Sequence, residues 1–454
     1  MSNFPAGWIE VTLEGVANVI RGITFPSSSK RPNEAVGFTC CLRTSNVQRE
    51  VDWNDVYFVP DEYVKRDDQF LAVGDILMSM ANSYELVGKV ARVNKLPIRA
   101  AFGAFISAIR PTHISDGRYL FHLLRTADVQ AALRAGSSQT TNIANISVGR
   151  LNTINVTLAP LAEQQRIADK LDTVLARVDA CRDRLARVAP LLKRFRQSVL
   201  AAATSGVLTD DWRSNERAWS ESLLGDVLVD KPRNGYSPKA VGFPTPVLSL
   251  TLSATTSGQF KAEHSKYIDE EISSESHLWL EPGDVLIQRS NSLEYVGISA
   301  IFDGERRRFI YPDLMMKARA NKLRISPQFL HITLSADRSR RYFRENATGT
   351  AGNMPKINQQ VVMSLPISFP TIEEQTEIVR RVETLFAYAD RLEARLAKAQ
   401  TAVDRLTPAL LAKAFRGELV PQDPDDEPAA ELLKRLAAQR AASPAKPRRR
   451  RARA

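Results

Sequence analysis

The sequence predicts an α+β protein: two related globular domains separated by two long helices that pack as an antiparallel coiled coil. Three observations carry that expectation. The stretch "LAEQQRIADKLDTVL" at 161–175 returns as "IEEQTEIVRRVETLF" at 372–386, so that Gln164 recurs as Gln375, 211 residues on. Further landmarks repeat at nearly the same interval along most of the chain. From each of these two stretches onward, apolar residues recur in steps of four and three, the signature of a coiled-coil seam.

Bulk properties bound the rest. A chain of 454 residues has room for two or three domains, each with its own core. Its 44% hydrophobic and 25% charged content is that of a soluble globular protein. "MSNFPAGWIEV" lacks the basic start and apolar core of a secretory signal. The longest apolar run, "AAFGAFISAI" at 100–109, is too short to cross a bilayer as a helix. A cytoplasmic location is therefore expected. Cys40, Cys41 and Cys181 offer neither a disulfide framework nor metal-ligand spacing, and the adjacent pair reads as buried small apolar residues rather than a redox device. Five scattered histidines form no cluster, so no metal is expected. The net charge of +11 points to an acidic partner such as nucleic acid. Six of those charges lie in the tail "PAKPRRRRARA", which is expected to be disordered, either touching DNA phosphates or simply solvated.

The elements follow in order. The first domain, 1–158, opens with "WIEVTLEGV" (8–16), matched 211 residues later by "WSESLLGDV" (219–227) at the start of the second domain, 208–369. "GDILMSMANSYELVG" (74–88) matches "GDVLIQRSNSLEYVG" (283–297) at an interval of 209, and "TTNIANI" (140–146) aligns with "AGNMPKI" (351–357). Short β-like runs punctuated by Gly, Pro and Asn fill both domains, among them "DVYFVP", "DILMSM" and "DVLIQ". One helix is expected from Tyr119 to Arg134 and another from Pro327 to Arg344. Residues 27–70 bear no useful likeness to 237–278. A shared framework with divergent inserts suits two copies doing one job on different targets.

Helical spacers are expected at 159–207 and 370–421. The first seam reads Ile167, Leu171, Val174, Val178, Cys181, Leu185, Val188, Leu192, Phe195 and Val199. In step with it, 211 residues on, come Ile378, Val382, Leu385, Ala389, Leu392, Leu396, Ala399, Val403, Leu406 and Leu410. A seam this narrow wants a partner helix, and the other copy is the nearest one available. Pro190 and Pro408 are expected to bend the helices or divide each in two. Ile167 to Val199 would extend roughly 50 Å at about 1.5 Å per residue, against about 34–36 Å for a turn of B-DNA. Such a rod could act as a ruler between two reading heads. The segment 422–454 is expected to be acidic, then helical at "AAELLKRLAAQR", then basic and partly disordered.

Paired domains, each followed by a helix that opens on Glu-Gln ("APLAEQQRI", "FPTIEEQTEI") and continues in heptads, resemble the specificity subunit of type I restriction–modification systems. The likeness covers nearly the whole chain, about 8–420. It implies two target-recognition domains, each reading one half of a split, asymmetric DNA site, with helix length setting the gap. It also implies two DNA adenine methyltransferase subunits holding S-adenosylmethionine, and restriction/translocase subunits using ATP and Mg, in a complex serving phage defence. This chain itself would be non-catalytic and bind no cofactor.

Base readout uses Arg or Lys for guanine and Asn or Gln for adenine, while hydroxyls and cations hold phosphates. The candidate DNA contacts in the first domain are Lys30, Arg31, Arg43, Arg49, Asn82, Ser83, Tyr84, Thr140, Thr141 and Asn142. In the second they are Arg233, Arg289, Ser290, Asn291, Ser292, Arg306, Arg307, Arg308, Lys317, Thr350 and Asn353. For the Asn-Ser pairs the competing reading is turn chemistry, in which the side chains cap their own backbone. Trp8 and Trp219 read as packing residues. Two rival functions exist. A coiled-coil scaffold would join proteins without reading DNA. A stand-alone enzyme would need a motif: the chain has no Asn-Pro-Pro-Tyr type tetrapeptide, no Gly-x-Gly cofactor loop and no phosphate loop, and only "PDEYVK" (60–65) faintly suggests a nuclease.

Overall fold

The computed structural model describes residues 4–139, 143–213, 219–349 and 354–442. The chain divides into two compact units, residues 1–184 with 399–454, and residues 185–398. Each unit holds one globular domain and part of each long helix.

The first domain carries strands β1 (Ile9–Thr12), β2 (Ala17–Arg21), β3 (Phe38–Leu42), β4 (Tyr57–Pro60), β5 (Ile76–Ser79), β6 (Ala81–Asn82), β7 (Val90–Arg92), β8 (Ala100–Phe102), β9 (Ile106–Pro111), β10 (Ser138–Gln139), β11 (Ala144–Asn145) and β12 (Asn155–Leu158). Helices α1 (Leu13–Val16), α2 (Gly117–Leu124), α3 (Ala127–Ala135) and α4 (Val148–Asn152) accompany them, and α5 (Leu161–Ser205) follows. The main sheet has the order β2-β9-β5-β7 and a second sheet the order β4-β3-β8. The burial of strand β5 explains why its sequence, "ILMS", lacks a polar face. Successive side chains point to opposite sides of a strand; Ile76 and Met78 enter one core and Leu77 enters another.

The second domain carries β13 (Ser220–Leu223), β14 (Arg233–Asn234), β15 (Leu248–Leu250), β16 (Ser265–Tyr267), β17 (Val285–Gln288), β18 (Ser299–Ile301), β19 (Phe309–Ile310), β20 (Met315–Ala318) and β21 (Pro366–Phe369). Its helices are α6 (Pro327–Ser335), α7 (Asp337–Glu345) and α8 (Gln359–Met363), followed by α9 (Ile372–Phe415). The main sheet is ordered β14-β20-β17-β18, and β17 repeats the two-sided burial of β5: Val285 and Ile287 in one core, Leu286 in the other.

The segments expected to be divergent inserts share a fold. Strand β3 runs antiparallel to β4 and parallel to β8; β15 likewise runs antiparallel to β16 and parallel to β19. The divergence lies in side chains, not topology. Each single helix expected after the sheet is a pair instead. Thr126 caps α3 with its side chain, its hydroxyl accepting from Val129 N, and Ala336, extended at ψ 145°, separates α6 from α7.

The long helices α5 and α9 are each continuous, so of the two outcomes expected at the prolines, bending or division, division does not occur. Proline removes one hydrogen bond to the carbonyl four residues earlier. Those residues, Ala186 and Asp404, are exposed, as are both prolines, so water can replace the lost bond. In the first unit, Leu171 and Leu175 near the start of α5 share a core with Leu411, Ala414 and Phe415 near the end of α9. In the second, Val199, Leu200 and Ala203 near the end of α5 share one with Ile378 and Val382 near the start of α9. Start meets end in both, so the packing is antiparallel. Arg182 to Asp404 (3.1 Å) and Arg196 to Asp390 (2.5 Å) flank the contact. The seam holds with two exceptions: Cys181 and Leu406, both expected inside, are exposed. Two strands of a coiled coil cover only one side of each helix, and both residues fall outside that cover.

A helix α10 (Ala429–Ala442) closes the described chain. The acidic segment before it is docked on the first domain's core. Asp426 accepts two hydrogen bonds from Arg166 (3.1 and 2.6 Å), and Ala429 and Leu432 are buried in the first core. The basic residues from 443 onward lie outside the described residues. Among the described residues, no helix is long and apolar enough to cross a membrane, and no group of side chains could hold a metal ion.

Candidate nucleic-acid interface

Each domain is fixed to its long helix by the same buried device. Gln164, fully buried at the first turn of α5, donates to the carbonyls of Ala159 (2.8 Å) and Ile114 (3.2 Å) and accepts from the Asp116 amide (2.9 Å). Gln375 repeats this at α9: it donates to Pro370 O (2.9 Å) and Arg324 O (2.8 Å) and accepts from Ser326 N (2.8 Å). One primary amide thus satisfies three backbone groups that burial would otherwise leave unpaired. Beside it, Trp8 Nε1 donates to Glu163 (2.8 Å) and Trp219 Nε1 to Glu374 (3.2 Å). Sequence reasoning misses this role of the glutamates, although the interval of 211 that links both tryptophans and both glutamates is a signal for it.

The two carboxylates differ in surroundings. Burial raises the pKa of Glu163, and the hydrogen bonds from Trp8 and Gln422 only partly offset it. Burial acts on Glu374 too, but hydrogen bonds from Arg213, Thr209 and Trp219 outweigh it and hold that carboxyl below its ordinary value.

The Asn-Ser turns sit at the end of each main sheet. Asn82 Oδ1 accepts from Ser83 N (2.9 Å) and Asn291 Oδ1 from Ser292 N (2.8 Å), so both asparagines commit their oxygen to the turn. Asn291 also donates to Gln288 (2.7 Å). Of the candidates there, Tyr84 and Ser292 are exposed, Ser83 is half-buried and Ser290 is buried. Gly88 and Gly297 close the turns at φ +82° and +75°, where a side chain would be strained and would press on α3 or α7. From those helices, Gln130 donates to Gly88 O (2.8 Å), and Arg340 to Glu294 O (2.8 Å) and Val296 O (2.6 Å).

Of the remaining first-domain candidates, Lys30 and Arg43 line one concavity of about 430 Å³ with Phe25, Tyr57 and Phe105. Phe105 O accepts from Met80 N (2.8 Å), which joins this concavity to the strand leading into Asn82. Arg31 is exposed with its guanidinium over Phe38. Arg49 stands apart, ion-paired with Asp179 of α5. Burial pushes the thiols of Cys40 and Cys41, beneath this surface, up to about 11 and about 12. Both therefore stay protonated at neutral pH. Thr140, Thr141 and Asn142 lie outside the described residues.

In the second domain, Arg289 donates to Asp313 O (3.3 Å) beside the Asn291 turn. Arg233 and Arg307 line a separate polar concavity of about 390 Å³, and Arg306 and Arg308 are exposed nearby in sequence. Lys317 is corrected to an internal role. It is buried, and its ammonium donates to His277 O (2.6 Å) and Trp279 O (2.7 Å), 3.6 Å from Asp284. An ammonium held this way has little left for a phosphate. Thr350 and Asn353 lie outside the described residues.

Comparison with known proteins agrees with this arrangement. Residues 5–188 and 251–399 match the type I restriction modification DNA specificity domain. The specificity subunit of the type I restriction enzyme EcoKI of Escherichia coli (strain K12) is 34% identical over 460 residues, covering 97% of each chain. That of StySPI of Salmonella potsdam is 34% identical over 457 residues, covering 97% of this chain and 96% of its own. Among solved structures, a chain described under complex assembly and conformational transition of the type I R-M system superposes with a TM-score of 0.69. It is 19% identical and covers 92% of this chain and 100% of its own. The HsdS subunit from Thermoanaerobacter tengcongensis gives a TM-score of 0.53 at 18% identity, over 91% and 98% of the two chains. The repeated clamp, the paired sheets and these matches converge: the chain belongs to the family of type I restriction–modification specificity subunits.

Proposed function

We propose that this chain reads a two-part, asymmetric DNA site, one part per domain, and delivers partner enzymes to it without catalysing a reaction itself. In this reading 1–158 and 208–369 are the target-recognition domains, and 159–207 and 370–421 are the spacers that set the gap. Methyltransferase subunits would supply S-adenosylmethionine chemistry, and restriction/translocase subunits would use ATP and Mg.

The observation that carries the reading is a framework repeated down to single hydrogen bonds, bearing different exposed side chains in each copy. Matching scaffolds with unlike surfaces suit two readers of unlike sequences. A symmetric homodimer would present identical surfaces and favour palindromes.

The test is genome-wide mapping of methylated adenines with and without this chain, in cells holding the methyltransferase subunit. We expect a two-part motif whose methylation disappears when the chain is removed. The purified chain given DNA, Mg and S-adenosylmethionine should neither cleave nor methylate. Turnover by the chain alone would favour an enzyme, and methylation that ignores sequence would favour a scaffold.

A further inference from the structure

The concavity of the first domain combines features that a solvated surface does not need. Phe105 is 66% exposed at the tip of the β8–β9 turn. Lining the same concavity, Phe25 and Tyr57 stand edge to face at 5.8 Å, with Lys30 Nζ 5.2 Å from the Tyr57 ring centroid. The Arg43 guanidinium lies 5.9 Å from the same ring and is neutralised by Asp55. An exposed phenylalanine beside a cation is poorly suited to water and well suited to a ligand that is apolar at one point and anionic nearby.

The second domain shows what this place becomes on the same framework. Met78 pairs with Ser107 as Ile287 pairs with Met316, and Phe105 O accepts from Met80 N as Leu314 O does from Arg289 N. Phe105 therefore corresponds to Leu314. Cys41 pairs with Tyr57 as Ser249 pairs with Lys266, which equates Tyr57 with Lys266. Two residues beyond Cys41 and Ser249, Arg43 corresponds to Thr251. Gly22 and Gly235 both pass so close to the facing strand that a Cβ would meet a carbonyl oxygen at 2.2 or 2.1 Å. Phe25, three residues on, corresponds to Pro238. Each of these lining positions carries a different side chain in the second copy, while the strands beneath keep their register. Divergence around a concavity on a preserved scaffold, with Phe105 its exposed member, is where a difference in sequence preference belongs.

We propose that this concavity reads the methyl-bearing major-groove edge of a thymine in the first half-site, with Phe105 as the apolar contact and Lys30 on the adjacent phosphate. The thymine 5-methyl is the apolar feature of the major groove, and aromatic or aliphatic side chains read it by contact. This rests on the two-part reading proposed above, and the test separates the two. Once methylation mapping gives the motif, duplexes carrying it are made with uracil replacing each first-half thymine in turn, which removes only the methyl group. With the complex of this chain and its methyltransferase subunits, one such replacement should slow methylation about tenfold, the usual scale for losing one good base contact. Phe105→Ala should cause the same loss on the thymine duplex and none further on the uracil duplex. Its melting temperature should be unchanged, since the side chain is exposed. If Phe105→Ala discriminates thymine from uracil as well as the unaltered chain, or if no first-half position responds to uracil, the proposal is overturned while the two-part motif stands. If mapping yields no two-part motif, both fall, and that outcome appears before any uracil duplex is made.

Discussion

At the residue scale, the two junctions share a tryptophan–glutamate hydrogen bond and differ in the other partners of the glutamate. Glu374 is 2% exposed and faces Arg213, whose nitrogens donate to it at 2.8 and 3.1 Å, with Thr209 Oγ1 at 2.7 Å. Glu163 meets Trp8 and Gln422, neutral donors both. Glu374→Gln should therefore destabilise by about 2 kcal/mol, because it leaves a guanidinium beside a neutral amide. Glu163→Gln should change stability by less than about 1 kcal/mol, because it also relieves a desolvated charge. The pH dependence has opposite sign at the two sites. The folded-state pKa of Glu374 is lowered from 4.5, so its contribution is present above that value and is lost as pH falls through the folded pKa. For Glu163 the folded pKa is raised, so the site is most favourable below 4.5 and weakens as pH rises through the folded value. Thermal melts should show the Glu374→Gln deficit at pH 7 shrinking towards pH 3; a deficit that stays constant would remove the charge explanation. The glutamine at the start of each long helix is legible in the sequence as a repeated landmark. Its function is not, because three hydrogen bonds to distant backbone groups leave no mark on local sequence.

At the scale of elements, the helices are the most legible part of the chain. A 4-3 pattern is a statement about one face of one helix, and it needs no knowledge of what lies elsewhere. It misleads where spacing alone cannot decide. Cys181 and Leu406 keep the spacing yet are exposed, and Pro190 and Pro408 sit in continuous helices where they and the residues four before them, Ala186 and Asp404, are exposed. The small sheets are the least legible. "FTCCL" and "LSL" are the central strands of corresponding three-stranded sheets in the two domains, yet share almost no letters. A strand needs only β-compatible, apolar side chains, so many sequences satisfy one topology. Removing seven residues from the middle of both α5 and α9 tests the spacer role. Seven residues are one heptad, so the seam stays in phase. At about 1.5 Å per residue the helices shorten by about 10 Å, or about three base pairs at 3.4 Å each. Mapping methylated sites should return both half-sites unchanged with a gap about three base pairs shorter. An unchanged gap would mean that the helices do not set it.

At the scale of the molecule, the duplicated plan makes a demand that no single residue makes. If each unit is a self-sufficient reader, exchanging residues 9–155 for the equivalent segment of a relative should alter one half of the recognised sequence and leave the other intact. The boundaries favour a clean exchange. The N-terminal join at Ile9 begins β1, which pairs with β12 at the other join, Ile9 opposite Leu158 and Thr12 opposite Asn155. Trp8, Glu163 and Gln164 stay with the host chain, so the tryptophan and glutamate half of the clamp comes from one sequence. The partners that Gln164 takes from inside the exchanged segment, Ile114 O and Asp116 N, are backbone atoms that any relative with the same fold can present. Motif mapping of the exchanged chain should show a new first half, the old second half and the old gap. A change in both halves would mean that the two domains read the site jointly, and the separation of the core into one cluster set per unit would then be a feature of folding rather than of recognition.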